Sequence, residues 1–225
     1  KALDIAVTKR PVLFKRDPVL FKYGIQAFDV KLHDQKAIHI HPLVVGGFNA
    51  DFDGDTMAVF VPVSEEAVQE AYQKMMPQQN IFDPGSGRVK YMPSLEGQLG
   101  LFLMSQWGKD KGKKFPTVLD AAKAYRDGKL PATEVVRAGK FKTTPGRAAI
   151  YAALPEGAKN EPLLTDPKVV MNSKTLGGVM SAVGRDKPKS FIAAADKMKD
   201  LGWGHAHSVG FSFQDSDFRV LGDIR

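Results

Sequence analysis

Three aspartates, Asp51, Asp53 and Asp55, alternate with Phe52 and Gly54 between two apolar runs. In an extended or gently curved loop, side chains at i, i+2 and i+4 point to one side. Three converging carboxylates repel one another, and a bound cation relieves that repulsion. Hard oxygen ligands of this kind suit Mg²⁺. The segment therefore belongs on a loop between two strands, not on an open surface helix. Leu43-Val44-Val45 precedes it, and Met57-Ala58-Val59-Phe60-Val61-Pro62-Val63 follows as a β-branched strand. Gly54 permits a positive-φ turn between two of the ligands, and Phe52 is expected to anchor the loop by pointing the opposite way. An acidic surface loop has the same composition. The apolar flanks and the basic character of the chain favour the metal loop.

That basic character is a net charge of +7 over 225 residues. It suits nucleic acid, nucleotides or an acidic partner subunit. With 43% hydrophobic and 25% charged residues the composition is globular. No apolar run approaches the roughly eighteen residues of a membrane span. The N-terminus lacks the pattern of a signal peptide. It also lacks an initiator Met, as expected of a piece of something longer. The chain contains no cysteine, which excludes disulfides and thiolate zinc sites and is compatible with a cytoplasmic setting.

The fold class expected is α+β, with a β-rich region over residues 1–63 and a mostly helical one over 64–225. Lys36 to His41 alternates like a strand. Pro11-Val12-Leu13-Phe14-Lys15 recurs as Pro18-Val19-Leu20-Phe21-Lys22, too short to define a repeat architecture. Ser64 reads as an N-cap with Glu65 and Glu66 in the first turn, and Pro77 ends that helix. Asp83 to Gly87 is a turn. A helix follows Pro93-Ser94. Lys109 to Lys114 reads as a solvated loop. Thr117 and Asp120 form a capping box for a helix ending at Gly128. Thr144-Pro145 starts another helix. Two more are expected near 174–183 and 188–201, the last with Gly202 at C′. Val209, Phe211 and Phe213 alternate like a final strand.

Other metal chemistries fit the spacing less well. An EF-hand loop starting at Asp51 would need Gly and an acid where Thr56 and Pro62 stand. A haloacid-dehalogenase-type phosphohydrolase has a D-x-D-G-[TV] nucleophile motif similar to Asp51 to Thr56. It also needs a later acidic pair, for which Asp215 and Asp217 are available, at the ends of parallel strands. His39 and His41, with His33 nearby, offer a metallohydrolase set, although paired strand histidines are more often simply satisfied. His205 and His207 read the same way.

Asn49-Ala50-Asp51-Phe52-Asp53-Gly54-Asp55 resembles the NADFDGD signature of the largest (β′) subunit of cellular RNA polymerases. The likeness extends upstream through Arg16-Asp17-Pro18, Gly24 to Phe28, Lys36-Ala37-Ile38 and His41 to Val44. Downstream it continues through Met57-Ala58-Val59, Asn80-Ile81, Leu99-Gly100-Leu101, Thr143-Thr144 with Gly146-Arg147, and Leu154 to Gly157. It ends in Leu201-Gly202-Trp203 and Ser208 to Asp217.

The resemblance implies part of a double-psi β-barrel followed by a helical pore-region segment. It implies that Asp51, Asp53 and Asp55 hold the catalytic Mg²⁺, with a second Mg²⁺ arriving with the nucleoside triphosphate. Arg16 and Asn49 match positions near the ribose of the incoming nucleotide, where a guanidinium and an amide hydrogen-bond its hydroxyls. Implied partners are a β-like subunit, other β′-like segments, the DNA template and the RNA product. The family's bridge helix and trigger loop follow the block matched by 208–217, so this chain is not expected to synthesise RNA alone. Lys15-Arg16-Asp17-Pro18-Val19-Leu20-Phe21 departs from the family's NRAPTLH, and Thr56 and Phe60 replace its usual Gln and His. Such drift suggests a divergent polymerase, phage-encoded or from a mobile element.

Overall fold

The computed structural model describes residues 2–210 and 212. The fold is α+β, and the chain divides into two compact units. One comprises the chain to Ser94 with Leu154–Lys159 and Ser173–Lys197. The other takes Leu95–Ala153, Asn160–Asn172 and the chain from Met198. These units cut the chain differently from a division after residue 63.

The first unit opens with helix α1 (Ala2–Lys9), followed by strands β1 (Val12–Lys15) and β2 (Ile25–Phe28). Its sheet has the order β2-β1-β3, with β3 spanning Ala58–Phe60, and both pairings are antiparallel. Lys15 lies opposite Ile25 on one side and Ala58 on the other. The Arg10 guanidinium donates to the Pro62 carbonyl at 2.9 Å, tying down the chain just beyond β3. One face of this sheet is sealed by Ala27, Ala71 and Met76, with Leu13, Tyr72 and Met75 against them. Gln26 is buried but satisfied. It donates to the Tyr23 carbonyl at 3.0 Å and accepts from the Tyr91 hydroxyl at 3.1 Å.

The Ser64 hydroxyl accepts from the Ala67 N–H, as its N-cap position predicts, and α3 (Glu65–Glu70) follows. It runs on as a π turn over Ala71–Met75 and stops at Pro77. The turn after Asp83 also forms, its carboxylate accepting from Gly85 and Ser86 N–H. Two expected strands do not form. Residues 36–41 lack ladder partners, and Leu43-Val44-Val45 falls within a 3₁₀ turn (Pro42–Val44) leading into the short helix α2 (Val45–Phe48). Here His41 caps the turn by accepting from the Leu43 N–H, so local capping overrides the alternation. Helix α8 (Ser173–Asp186) and the start of α9 (Pro188–Val209) complete the unit.

The second unit holds α4 (Glu96–Met104), β4 (Asp110–Phe115), α5 (Val118–Arg126) and the hairpin β5 (Val135–Ala138) and β6 (Phe141–Thr143). Helices α6 (Pro145–Ala153) and α7 (Glu161–Thr165) follow. The sheet order is β4-β5-β6. The β4–β5 pairing is parallel across α5, whose capping box joins Thr117 and Asp120 as expected. Lys109 to Lys114, expected as a loop, is therefore mostly an edge strand. Its lysines face water, and Lys111 and Lys113 pair with the buried Glu134 at 3.2 and 3.0 Å. Among the described residues the strands form two three-stranded sheets and no closed barrel.

Arg147 of α6 is fully buried. Its guanidinium donates to the carbonyls of Ser105, Leu163, Asp166 and Val169 at 2.7–2.8 Å, and to that of Pro167 at 3.4 Å. Carbonyl dipoles satisfy the charge and fix the backbone around α7. Burial nonetheless lowers its pKa.

Helix α9 continues through Gly202 to Val209 rather than ending there. Gly202 serves a close approach of two backbones. A Cβ on Gly202 would lie 2.1 Å from the Gly97 carbonyl oxygen, and one on Gly100 would lie 1.8 Å from that of Gly202. Val209 is helical, while Phe211, Phe213, Asp215 and Asp217 lie outside the described residues. Gly100→Ala should lower the unfolding free energy by about 1–3 kcal/mol through overpacking. Gly177→Ala, in open space on α8, should raise it by about 0.5–1 kcal/mol. Denaturant melts of the two variants check the contrast.

Candidate metal centre

The loop that carries the aspartates leaves α2 at Asn49 and returns to the sheet at β3. Asn49 is the C-cap of α2 and sits in the left-handed region (φ 49°), a conformation Asn tolerates better than most residues. Gly54, at φ 120°, takes the positive-φ turn expected of it. Carboxylate oxygens of Asp51, Asp53 and Asp55 then lie within 4.8 Å of one another, all on an exposed loop. Among the described residues this is the one group of three acidic, His or Cys side chains close enough to share an ion. The elements flanking the loop are a helix and a strand, not two strands. Phe52 does not anchor it, being 68% exposed.

The β1–β3 register brings Arg16 to the same place. Lys15 pairs opposite Ala58, so the residue after β1 lies beside the loop before β3. Arg16 Nε donates to Asp55 Oδ2 at 2.7 Å, and Nη2 to Oδ1 at 3.1 Å. This is a fork on one carboxylate, the strong geometry for such a pair. Asp55 Oδ2 also accepts from the Asp51 N–H at 3.1 Å. The guanidinium, with help from that N–H, holds the Asp55 carboxyl below its usual pKa. Bonding to Asp55 in turn raises the Arg16 pKa. Asp53 goes the other way. A hydrogen bond with the Asp51 carboxyl, and repulsion from it, push Asp53 above the usual range. Three oxygen donors crowded within 4.8 Å of one another fit the chemistry of a hard divalent cation.

The histidines do not join the triad. His33 and His39 stack on each other with ring centroids 4.1 Å apart. His41 Nε2 lies 2.8 Å from Asp196 Oδ1. His205 is buried, its Nδ1 3.0 Å from the Tyr125 hydroxyl. The Arg16–Asp55 fork was not legible from the sequence, since 39 positions separate the partners. The signal that reveals it is strand pairing.

The family model for RNA polymerase Rpb1, domain 2, matches residues 4–77, which include Arg16 and the whole aspartate loop. The chain is 36% identical to the DNA-directed RNA polymerase subunit beta′ of Methylococcus capsulatus, over 97% of its own length and 17% of that protein's. It is 38% identical to that of Syntrophobacter fumaroxidans, over 97% and 16% of the two lengths. For Aquifex pyrophilus the identity is 37%, over 98% and 14%. The chain belongs to the β′ family of DNA-directed RNA polymerases. It spans about one-sixth of the length of the curated relatives it matches. The phosphohydrolase alternative finds no support among these relatives. The sheet beside the loop is moreover antiparallel, whereas that chemistry needs parallel strands.

The two perturbed carboxyls make a pH test. In a ¹³C titration of side-chain carboxyls, Asp53 should protonate above the ordinary aspartate value and Asp55 below it. Because the Asp55 pKa is depressed on folding, its contribution to stability is present above the unfolded pKa. That contribution is lost as pH falls through the folded one. Arg16→Gln should return Asp55 toward the ordinary value. Coincident titration of Asp53 and Asp55 in the native chain would contradict the geometry.

Proposed function

We propose that this β′ segment supplies the metal-holding part of an RNA polymerase active site. Nucleotides would be transferred there from nucleoside triphosphates to the RNA 3′ end on a DNA template. The observation that carries this reading is the convergence of Asp51, Asp53 and Asp55 inside the stretch matched by the β′ family model.

Asp51, Asp53 and Asp55 would hold Mg²⁺. When bound, that ion, with a second one brought by the triphosphate, supplies Lewis-acid chemistry: acidification of the RNA 3′-hydroxyl and neutralisation of the leaving pyrophosphate. The protein's part is positioning, and no side chain acts as nucleophile. Gly54 bends the loop so that the outer carboxylates face the same point. Asn49, exposed at the end of α2, and Arg16, at the end of β1, stand on either side in sequence. Arg16 would donate to ribose hydroxyls, and Asn49 would donate to or accept from them. A 2′-deoxy substrate would leave those groups unpaired, which is how such a site selects ribonucleotides.

Residues 1–63 would form a portion of a double-psi β-barrel, and 64–225 the pore-region segment that follows it. The edge strand β3 supports this. Val59 and Phe60 on it, and Val61 and Val63 just after, are exposed. An apolar edge of that kind invites further strands. The reading further requires a β-like subunit, other β′-like segments, template DNA and RNA product as partners, in the cytoplasm. Among the described residues no helix is long and apolar enough to cross a membrane. A phage source finds no support among the relatives named.

Asp53→Ala in the assembled polymerase, with template and nucleotides, should reduce RNA synthesis by at least about a thousandfold. The removed ligand supports several kcal/mol of transition-state charge stabilisation, and each 1.36 kcal/mol is roughly tenfold in rate. Near-normal synthesis by that variant would remove the triad from the active site.

A further inference from the structure

Arg16 is a cation already seated on the triad. Its Nε and Nη2 cover both oxygens of Asp55, at 2.7 and 3.1 Å, and Oδ2 receives the Asp51 N–H as well. A carboxylate has about four lone-pair sites in all. Three are therefore engaged within the chain, and Asp55 has little room for a further partner. Among the described residues, the Arg16 fork falls on Asp55 and not on Asp51 or Asp53. The Asp51 and Asp53 carboxylate oxygens instead lie within 4.8 Å of each other.

A divalent ion that takes all three aspartates must therefore either share Asp55 with Arg16 or displace it. Sharing sets a unit charge close to a doubly charged ion on an open loop. At about 5 Å in water-like surroundings that repulsion weakens metal affinity by roughly tenfold. Displacement meets little resistance from elsewhere. Arg16 lies just outside the sheet, after the last residue of β1. Among the described residues both of its guanidinium hydrogen bonds go to Asp55. Its neighbour Lys15 is occupied by Asp17 at 2.9 Å and does not replace it.

We propose that Arg16 and the divalent ion compete for Asp55, so that metal loading releases the Arg16 guanidinium. Arg16 is then a positioning residue with two seats. On Asp55 it holds the loop's third carboxylate in place. Off Asp55 it becomes a free donor fork beside the metal, available to the phosphate or ribose oxygens of a nucleotide. Metal loading would thus precede and favour nucleotide capture, and Arg16 would set how much metal is needed. This inference rests on the metal-centre reading above.

The test uses Mn²⁺, which takes oxygen ligands like Mg²⁺. Free Mn²⁺ is followed by its electron paramagnetic resonance signal as the intact chain is titrated. Arg16→Gln should bind Mn²⁺ about tenfold more tightly than the native chain. Arg16→Lys, which keeps the charge but loses the fork, should fall between them. In the native chain, the Arg16 Nε–H cross-peak, assigned by its loss in Arg16→Gln, should shift progressively on titration with Mg²⁺. If Arg16→Gln does not fold, Arg16→Lys and the native cross-peak still decide. Unchanged or weaker Mn²⁺ binding in the Arg16 variants would overturn the competition, as would a cross-peak that stays put to saturation. Asp53→Asn separates this failure from that of the underlying reading. If that variant binds Mn²⁺ as the native chain does, the triad is not the metal site at all. If it loses Mn²⁺ while Arg16→Gln gains nothing, the triad stands and only the role given to Arg16 falls.

Discussion

The antiparallel pairing of β1 with β3 organises everything near the aspartates. β1 is the central strand of its sheet, so its register is set from both sides, by Ile25 to Phe28 and by Ala58 to Phe60. With Lys15 opposite Ala58, Arg16 emerges beside a loop 39 positions away. A slip of one residue would turn each side chain of β1 to the other face and carry Arg16 away from Asp55. The shielding of Ala27 by Ala71 and Met76 makes such a slip unfavourable, because it would expose that core face. The charge constellation is thus held by apolar packing on the far side of the same strands.

The chain handles its concentrated charges in two ways. Arg147 is buried, and its guanidinium is met by five backbone carbonyls and the Trp107 ring, all of its own unit. That arrangement is rigid, because removing any partner leaves a buried polar group unsatisfied. The aspartate triad is exposed, and its repulsion is divided. Arg16 neutralises Asp55, and water screens the neighbouring Asp51 and Asp53 carboxyls. An exposed arrangement is exchangeable, as the proposed metal site would require.

Much of this was legible in the sequence where the deciding chemistry is local. The Ser64 cap, the Thr117–Asp120 box, the Asp83 turn and the positive φ at Gly54 each depend on residues within a few positions. What was not legible depends on distant partners. The two copies of Pro-Val-Leu-Phe-Lys show this directly. The first forms β1 because two strands flank it, whereas the second, lacking them, enters a turn closed by the Gly24 N–H on the Phe21 carbonyl. Lys109 to Lys114 looks like a solvated loop by charge and is solvated, yet β5 makes its greater part a strand. Gly202 resembles a helix terminator until Gly97 and Gly100 are found against it. The triad itself was readable from spacing. Its counter-ion Arg16 was matched by family resemblance to the ribose, and the contact with Asp55 required the fold.

The edge strand sharpens what the proposed function demands. β3 pairs on one side only, and Val59, Phe60, Val61 and Val63 in and beyond it are 48–76% exposed. In an isolated globular domain such an edge is an aggregation hazard, usually blunted by lysines as β4 is. β3 carries no lysine. The asymmetry between the two edges separates a surface meant for water from one suited to added strands. The aspartate loop hangs directly from the apolar edge. Under the barrel reading, whatever completes the sheet there also walls the metal centre, lowers the local dielectric, and strengthens each charge interaction on the loop. The competition between Arg16 and metal for Asp55 would then be steeper in the assembled polymerase than in this segment. Repulsion between two cations grows as water is excluded, and so does the advantage of moving Arg16 onto a polyanionic nucleotide.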